Sequence, residues 1–169
     1  MFVSLFTSPV THAAEAPDCR NLLTPDEVAS AVGGAAKLTS AGKRGEVGTG
    51  SVENERLEVC TWAAETWLAG VNVDLVRSLE PAAVAEGLEV VQFPLDERRK
   101  QRWPEERQDF GGIRCSSFSP PKPSDAEPQV TGCVGEVSGA ALYVGVSSRT
   151  GRPTFDLAKR LFDEAAARL

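Results

Sequence analysis

Residues 57–77, LEVCTWAAETWLAGVNVDLVR, decide the fold. Val71, Val73 and Leu75 fall on one side of an extended chain, with Asn72 and Asp74 on the other, which is the period of a strand buried on one face. Cys60 and Trp62, two residues apart, share a face in the same way, which suits a disulfide packed against a large ring. The stretch reads as a β-hairpin around which the remaining chain is built.

Working outward, the 169 residues suffice for one domain with a real core, and a composition of 41% apolar and 25% charged residues is that of a globular chain. A formal charge of −6 argues against nucleic acid as a partner, because phosphate binding needs a basic surface. Residues 1–16, MFVSLFTSPVTHAAEA, hold no Lys or Arg, an apolar run from Phe2 to Val10 and an Ala14-Glu15-Ala16 cleavage pattern. They read as a signal peptide or its remnant, leaving 17–169 as a single domain; the other reading is a disordered apolar tail. The basic n-region of a signal peptide is missing, so either the start lies upstream or the signal is degenerate. No stretch is long enough for a transmembrane helix. Cleavage would remove His12, the single histidine, and with it histidine-based triads, zinc sites and pH switches.

Cys19, Cys60, Cys115 and Cys133 are an even set in a chain read as exported, and point to two disulfides. Of the three possible connectivities, Cys19–Cys60 with Cys115–Cys133 is favoured because each bridge staples elements near in sequence. A four-cysteine zinc site is the alternative, but no C-x-x-C spacing occurs. The residues before Cys19, Ala16-Pro17-Asp18, do not form the small-apolar lipobox of a lipid-anchored cysteine. Neither a metal nor a cofactor is expected.

In chain order, Thr24-Pro25-Asp26-Glu27 carries a helix start: Thr24 as N-cap, Pro25 at the first position, and Glu27 closing a capping box. Leu23 and Val28 suit the flanking hydrophobic staple, and Gly33-Gly34 ends the helix. A short strand is expected through Leu38, followed from Gly42 to Asn54 by a Gly-rich surface loop that lacks the spacing of a phosphate-binding loop. Residues 80–87 read as a second short helix closed by Gly87, and Val90, Val91 and Phe93 as an edge strand. Residues 96–109, DERRKQRWPEERQD, hold five basic and five acidic residues around Trp103. They read either as an aromatic-plus-arginine recognition surface or as an ion-paired loop or helix whose Trp103 tucks into the core. If a partner site exists, Arg102 and Trp103 are its candidates. A strand from Ile113 to Phe118, a Pro-rich loop at 120–128 and a hairpin turning at Ser138-Gly139 follow. Pairing Val137 with Ala140 sets Cys133 opposite Val144. The last helix, capped by Thr154 and running to Leu169, buries a stripe from Phe155 to Leu169.

Cys19 followed by Leu22-Leu23-Thr24-Pro25-Asp26-Glu27-Val28, a Gly pair and Cys60-Thr61-Trp62 resembles an actinobacterial family of secreted proteins and lipoproteins that carry a domain of unknown function. The resemblance covers mainly residues 19–62. It implies an exported α+β domain at the cell envelope and supplies no catalytic residues.

The fold expected is therefore α+β: an antiparallel sheet of about five or six strands with the N- and C-terminal helices packed on one face, stapled by two disulfides. Two functions remain open. One is a non-enzymatic binding or sensing module for a small ligand or an envelope protein, with no catalytic residues. The other is a carboxylate-dependent hydrolase acting on an envelope glycan, with Asp74 and Glu65 among the candidate acids. Convergence of two carboxylates in one pocket would separate them.

Overall fold

The hairpin forms at the heart of a seven-stranded antiparallel sheet. A computed structural model describes residues 18–43, 57–77, 81–121 and 127–169. Residues 1–16, read above as a signal peptide or its remnant, most of the Gly-rich stretch and the middle of the Pro-rich loop lie outside the described residues. In chain order the elements are α1 (Cys19–Leu22), α2 (Pro25–Val32), β1 (Ala36–Lys43), β2 (Leu57–Ala64), β3 (Leu68–Arg77), α3 (Pro81–Val91), α4 (Phe93–Lys100), β4 (Glu105–Phe110), β5 (Ile113–Phe118), β6 (Gln129–Val137), β7 (Ala140–Ser148) and α5 (Phe155–Ala166). Across the sheet the strands run β1-β2-β3-β7-β6-β5-β4. Only the contact between β3 and β7 joins strands distant in sequence, so two meanders meet at the centre.

Alternation within the strands supplies both faces of the sheet. Cys60, Trp62, Val71, Val73 and Leu75 are buried in one apolar cluster with Leu22, Val28 and Val32 from the N-terminal helices and Ala158, Leu161 and Phe162 from α5. Val76, Ala141 and Tyr143 belong to a second cluster with Val91, Leu95 and Trp103, contributed by α3, α4 and the turn after α4. Gly87 is part of this second packing. A Cβ there would sit 3.1 Å from the Cβ of Ala141 and 3.3 Å from Cγ1 of Val76, so α3 approaches the sheet closely where the side chain is missing.

Both disulfides join as the spacing suggests, Cys19 to Cys60 and Cys115 to Cys133. Ser138 and Gly139 have φ of 50° and 75°, the paired left-handed conformation of a two-residue hairpin turn. Val137 consequently faces Ala140, Cys133 faces Val144, and Cys115 faces Cys133 across β5 and β6. Thr24 and Glu27 form the capping box, with Thr24 N–H donating to Glu27 Oε2 at 2.8 Å and Glu27 N–H to Thr24 Oγ1 at 3.3 Å.

Three expectations are corrected. The sheet has seven strands rather than five or six, because Glu105–Phe110, within the segment read as a polar loop or helix, is the edge strand β4. Its first five residues are exposed, so the alternation that marks a half-buried strand is missing from them. Gly87 does not end its helix, and Val90, Val91 and Phe93 are helical rather than an edge strand. The residue read as a stop is a packing glycine, and Pro94 stands in the first turn of α4. Thr154 occupies the N-cap position of α5 but makes no capping bond through its side chain, and that helix ends at Ala166 rather than Leu169.

Candidate functional site

The turn between β2 and β3, Glu65-Thr66-Trp67, is tied down from two sides. Thr66 Oγ1 donates to the carbonyl of Val32 at 2.8 Å, fixing the turn to the C-terminus of α2, and accepts from Leu68 N–H at 3.2 Å. Gly34 allows this approach, since a Cβ there would lie 2.7 Å from Thr66 Cγ2. From the other side Arg149, just beyond β7, donates its Nη1 to the carbonyls of Ala64, Thr66 and Leu68 at 3.2, 2.6 and 2.5 Å. Its own N–H donates to Trp67 O at 2.9 Å. A charged donor on three carbonyls holds a turn more firmly than neutral bonds would. The outcome is unusual for so large an apolar residue: Trp67 is 44% exposed, while Trp62 and Trp103 are 1% and 8% exposed.

Trp67 forms one wall of a cleft of 760 Å³ whose floor is the entry to α5. Gln108 of β4, Thr150, Arg152, Thr154 and Asp156 supply its polar lining. Beneath this entry lies a buried polar chain. Gln129 Nε2 donates to Ser117 Oγ at 2.8 Å, Ser117 and Thr131 share a hydroxyl bond of 2.8 Å, and Thr131 Oγ1 accepts from Thr154 N–H at 3.2 Å. Thr154 is 9% exposed and its Oγ1 has no hydrogen-bond partner among the described residues. The first intrahelical bond of α5 runs from Ala158 N–H to Thr154 O at 2.9 Å, so the N–H groups of residues 155–157 precede it. Arg152 is exposed and forms no ion pair among the described residues. A rigid aromatic face beside directed polar donors can hold a ligand.

Two other hollows carry carboxylates. One of 330 Å³ is lined by Ser40, Thr61, Asn72, Pro94 and the buried Asp74, which lies opposite Tyr143 across β3 and β7. Burial pushes the Tyr143 phenol far up, and the charge of Asp74 pushes it further. Asp109 and Glu136 line a second hollow of 460 Å³ with Arg107 and Arg114. Both of those carboxylates are exposed, and Arg107 Nε donates to Asp109 at 3.2 Å. Among the described residues no group of three or more Asp, Glu, His or Cys is placed to hold a metal ion.

Arg102 and Trp103, adjacent in sequence, part company in space. Arg102 takes a left-handed φ of 58° and is exposed, whereas Trp103 turns inward beside Leu95 and Phe118. The Arg98 guanidinium lies 4.5 Å from the Trp103 ring centroid. The surrounding charges are consumed locally. Arg99 bonds both Asp96 and Glu105, at 2.5 Å and at 2.7 and 3.1 Å, which raises its own pKa and lowers that of Glu105. The four cysteines are all in disulfides. Sequence reasoning missed Trp67, Arg149 and Arg152. The available signal was an aromatic residue between two strand patterns, outside either alternation.

No protein-family model, curated protein or solved structure matches the chain.

Proposed function

We propose that this chain is an exported cell-envelope domain, of the actinobacterial kind its sequence resembles, and that it binds a ligand or envelope protein without catalysis. The contact surface in this reading is the Trp67 cleft. One observation carries it: Trp67 is the exposed large apolar residue among those described, held out by Arg149 and Thr66 rather than left on a loose loop. Tryptophan and arginine dominate binding hot spots, and a preorganised wall avoids the ordering cost of a mobile one. Two disulfides support an oxidising compartment, and no described helix is long and apolar enough to cross a membrane. The reading also treats the N- and C-terminal helices as one layer on one face, supported by the ion pair between Arg168 and Glu27. The test compares retention of envelope components by the immobilised parent and by Trp67→Ala. Loss of a retained component in a variant with unchanged thermal unfolding supports the proposal. Equal retention by both proteins refutes it.

A further inference from the structure

Building on that reading of the cleft, we infer that its ligand carries a carboxylate on an apolar body, with the carboxylate at the first turn of α5 and the body against Trp67. Two features converge there, the N-cap Thr154 with the helix start it leaves uncapped, and Arg152. The first-turn N–H groups of this 12-residue helix have no side-chain cap, and the one acid in that turn is the exposed Asp156. Thr154, nine-tenths buried and lining the cleft, has a hydroxyl with no partner among the described residues. Buried hydroxyls without a partner are rare, because each costs the desolvation of a polar group. Arg152 adds a guanidinium that forms no ion pair among the described residues, the donor type best matched to a planar carboxylate.

The charge balance narrows the ligand further. Asp156, at the second position of α5, lines the same cleft and is exposed. It offsets Arg152, so the cleft is not a strongly positive field, and the chain as a whole carries −6. A polyanion would be repelled. One carboxylate, held by directed N–H and guanidinium donors, would not. Trp67 supplies the apolar contact that a bare carboxylate lacks.

The experiment titrates the full chain with three probes and reads Trp67 emission and heat of binding. N-acetyl-L-phenylalanine represents a peptide chain end, 3-phenylpropionate a free organic acid, and N-acetyl-L-phenylalaninamide the same body without charge. The inference requires at least one acid to bind roughly tenfold more tightly than the amide. It also requires Arg152→Ala to remove most of that preference, Asp156→Asn to increase it, and Trp67→Ala to weaken acid and amide alike. Tight binding by both acids identifies a free carboxylate as sufficient; binding by the acetylated amino acid alone identifies a chain end. Acid and amide binding equally, with both lost in Trp67→Ala, would overturn the carboxylate assignment and leave the cleft reading standing. No binding by any probe overturns the assignment as well, and the retention experiment with Trp67→Ala then decides the cleft on its own.

Discussion

Arg168, near the end of the chain, should contribute measurably to stability through Glu27, and the contribution should titrate. Arg168 Nη1 donates to Glu27 Oε2 at 2.8 Å and to the carbonyl of Leu22 at 2.6 Å, while Nη2 pairs with Glu27 Oε1. Glu27 is at the same time the closing residue of the α2 capping box. The guanidinium bonds, followed in effect by those from Thr24 and opposed by desolvation, lower the Glu27 pKa from 4.5 to about 2. Taken whole, such a shift corresponds to about 3 kcal/mol. The two side chains are still 33% and 29% exposed, and part of the shift belongs to Thr24, so the pair itself is worth roughly 1–2 kcal/mol after allowance for solvent screening. Glutamine keeps the capping geometry and loses the charge. Glu27→Gln should therefore cost roughly 1–2 kcal/mol, and Arg168→Ala slightly more because Leu22 O loses its donor. The double variant should cost no more than Arg168→Ala, giving a coupling of about 1 kcal/mol or above. The sign of the pH effect follows from a depressed acid: the stabilisation is complete above the unfolded pKa near 4.5 and is lost as pH falls toward about 2. Urea unfolding of the four proteins at pH 7 and at steps down to pH 2.5 measures this. A coupling below about 0.3 kcal/mol at pH 7, or one that does not shrink with acid, would refute the reasoning.

Further outcomes are expected from the same geometry. Trp67→Phe should abolish most collisional quenching of tryptophan emission by iodide while changing stability by under about 0.5 kcal/mol, since the other two rings are buried; quenching that persists would place another tryptophan at the surface. Thr24→Ala should cost roughly 1 kcal/mol through the lost cap, read as a shifted urea midpoint with an unchanged slope. Replacing both Cys115 and Cys133 by Ala should cost about 3 kcal/mol on chain-entropy grounds, and the Cys19–Cys60 pair about 4, because its closed loop is longer, with 41 against 18 residues of separation. Non-reducing peptide mapping checks the pairing itself, and crossed links would contradict the sheet order. Gly87→Val should destabilise by about 1–3 kcal/mol by forcing α3 off Ala141 and Val76; a neutral effect would show that the approach of helix to sheet is looser than described.

Much of this architecture is written locally. The capping box spans four residues, the Ser138-Gly139 turn two, and the buried faces of β3 and α5 announce themselves by period alone, so neighbouring residues suffice to specify them. The disulfide partners could be inferred because each bridge joins elements near in sequence. Other features depend on residues far apart. Glu105–Phe110 becomes a strand because β5 offers it an edge, although its own pattern is polar throughout its first five positions. Gly87 reads as a helix stop until Ala141 and Val76 are placed beneath it. The decisive case is the choice among three tryptophans. Trp103 sits amid arginines and turns inward, joining the buried cluster of Leu95 and Phe118 with the Arg98 guanidinium over its ring. Trp67 sits between two buried strands and turns outward, because Thr66 is anchored to Val32, 34 residues earlier, and Arg149 grips the turn from more than 80 residues later. Period and propensity act over a few residues, so the sequence by itself determined which segments form strands and helices over most of the chain. Which side chain is left at the surface was decided only by the tertiary structure, because that depends on contacts between segments that only the folded chain brings together.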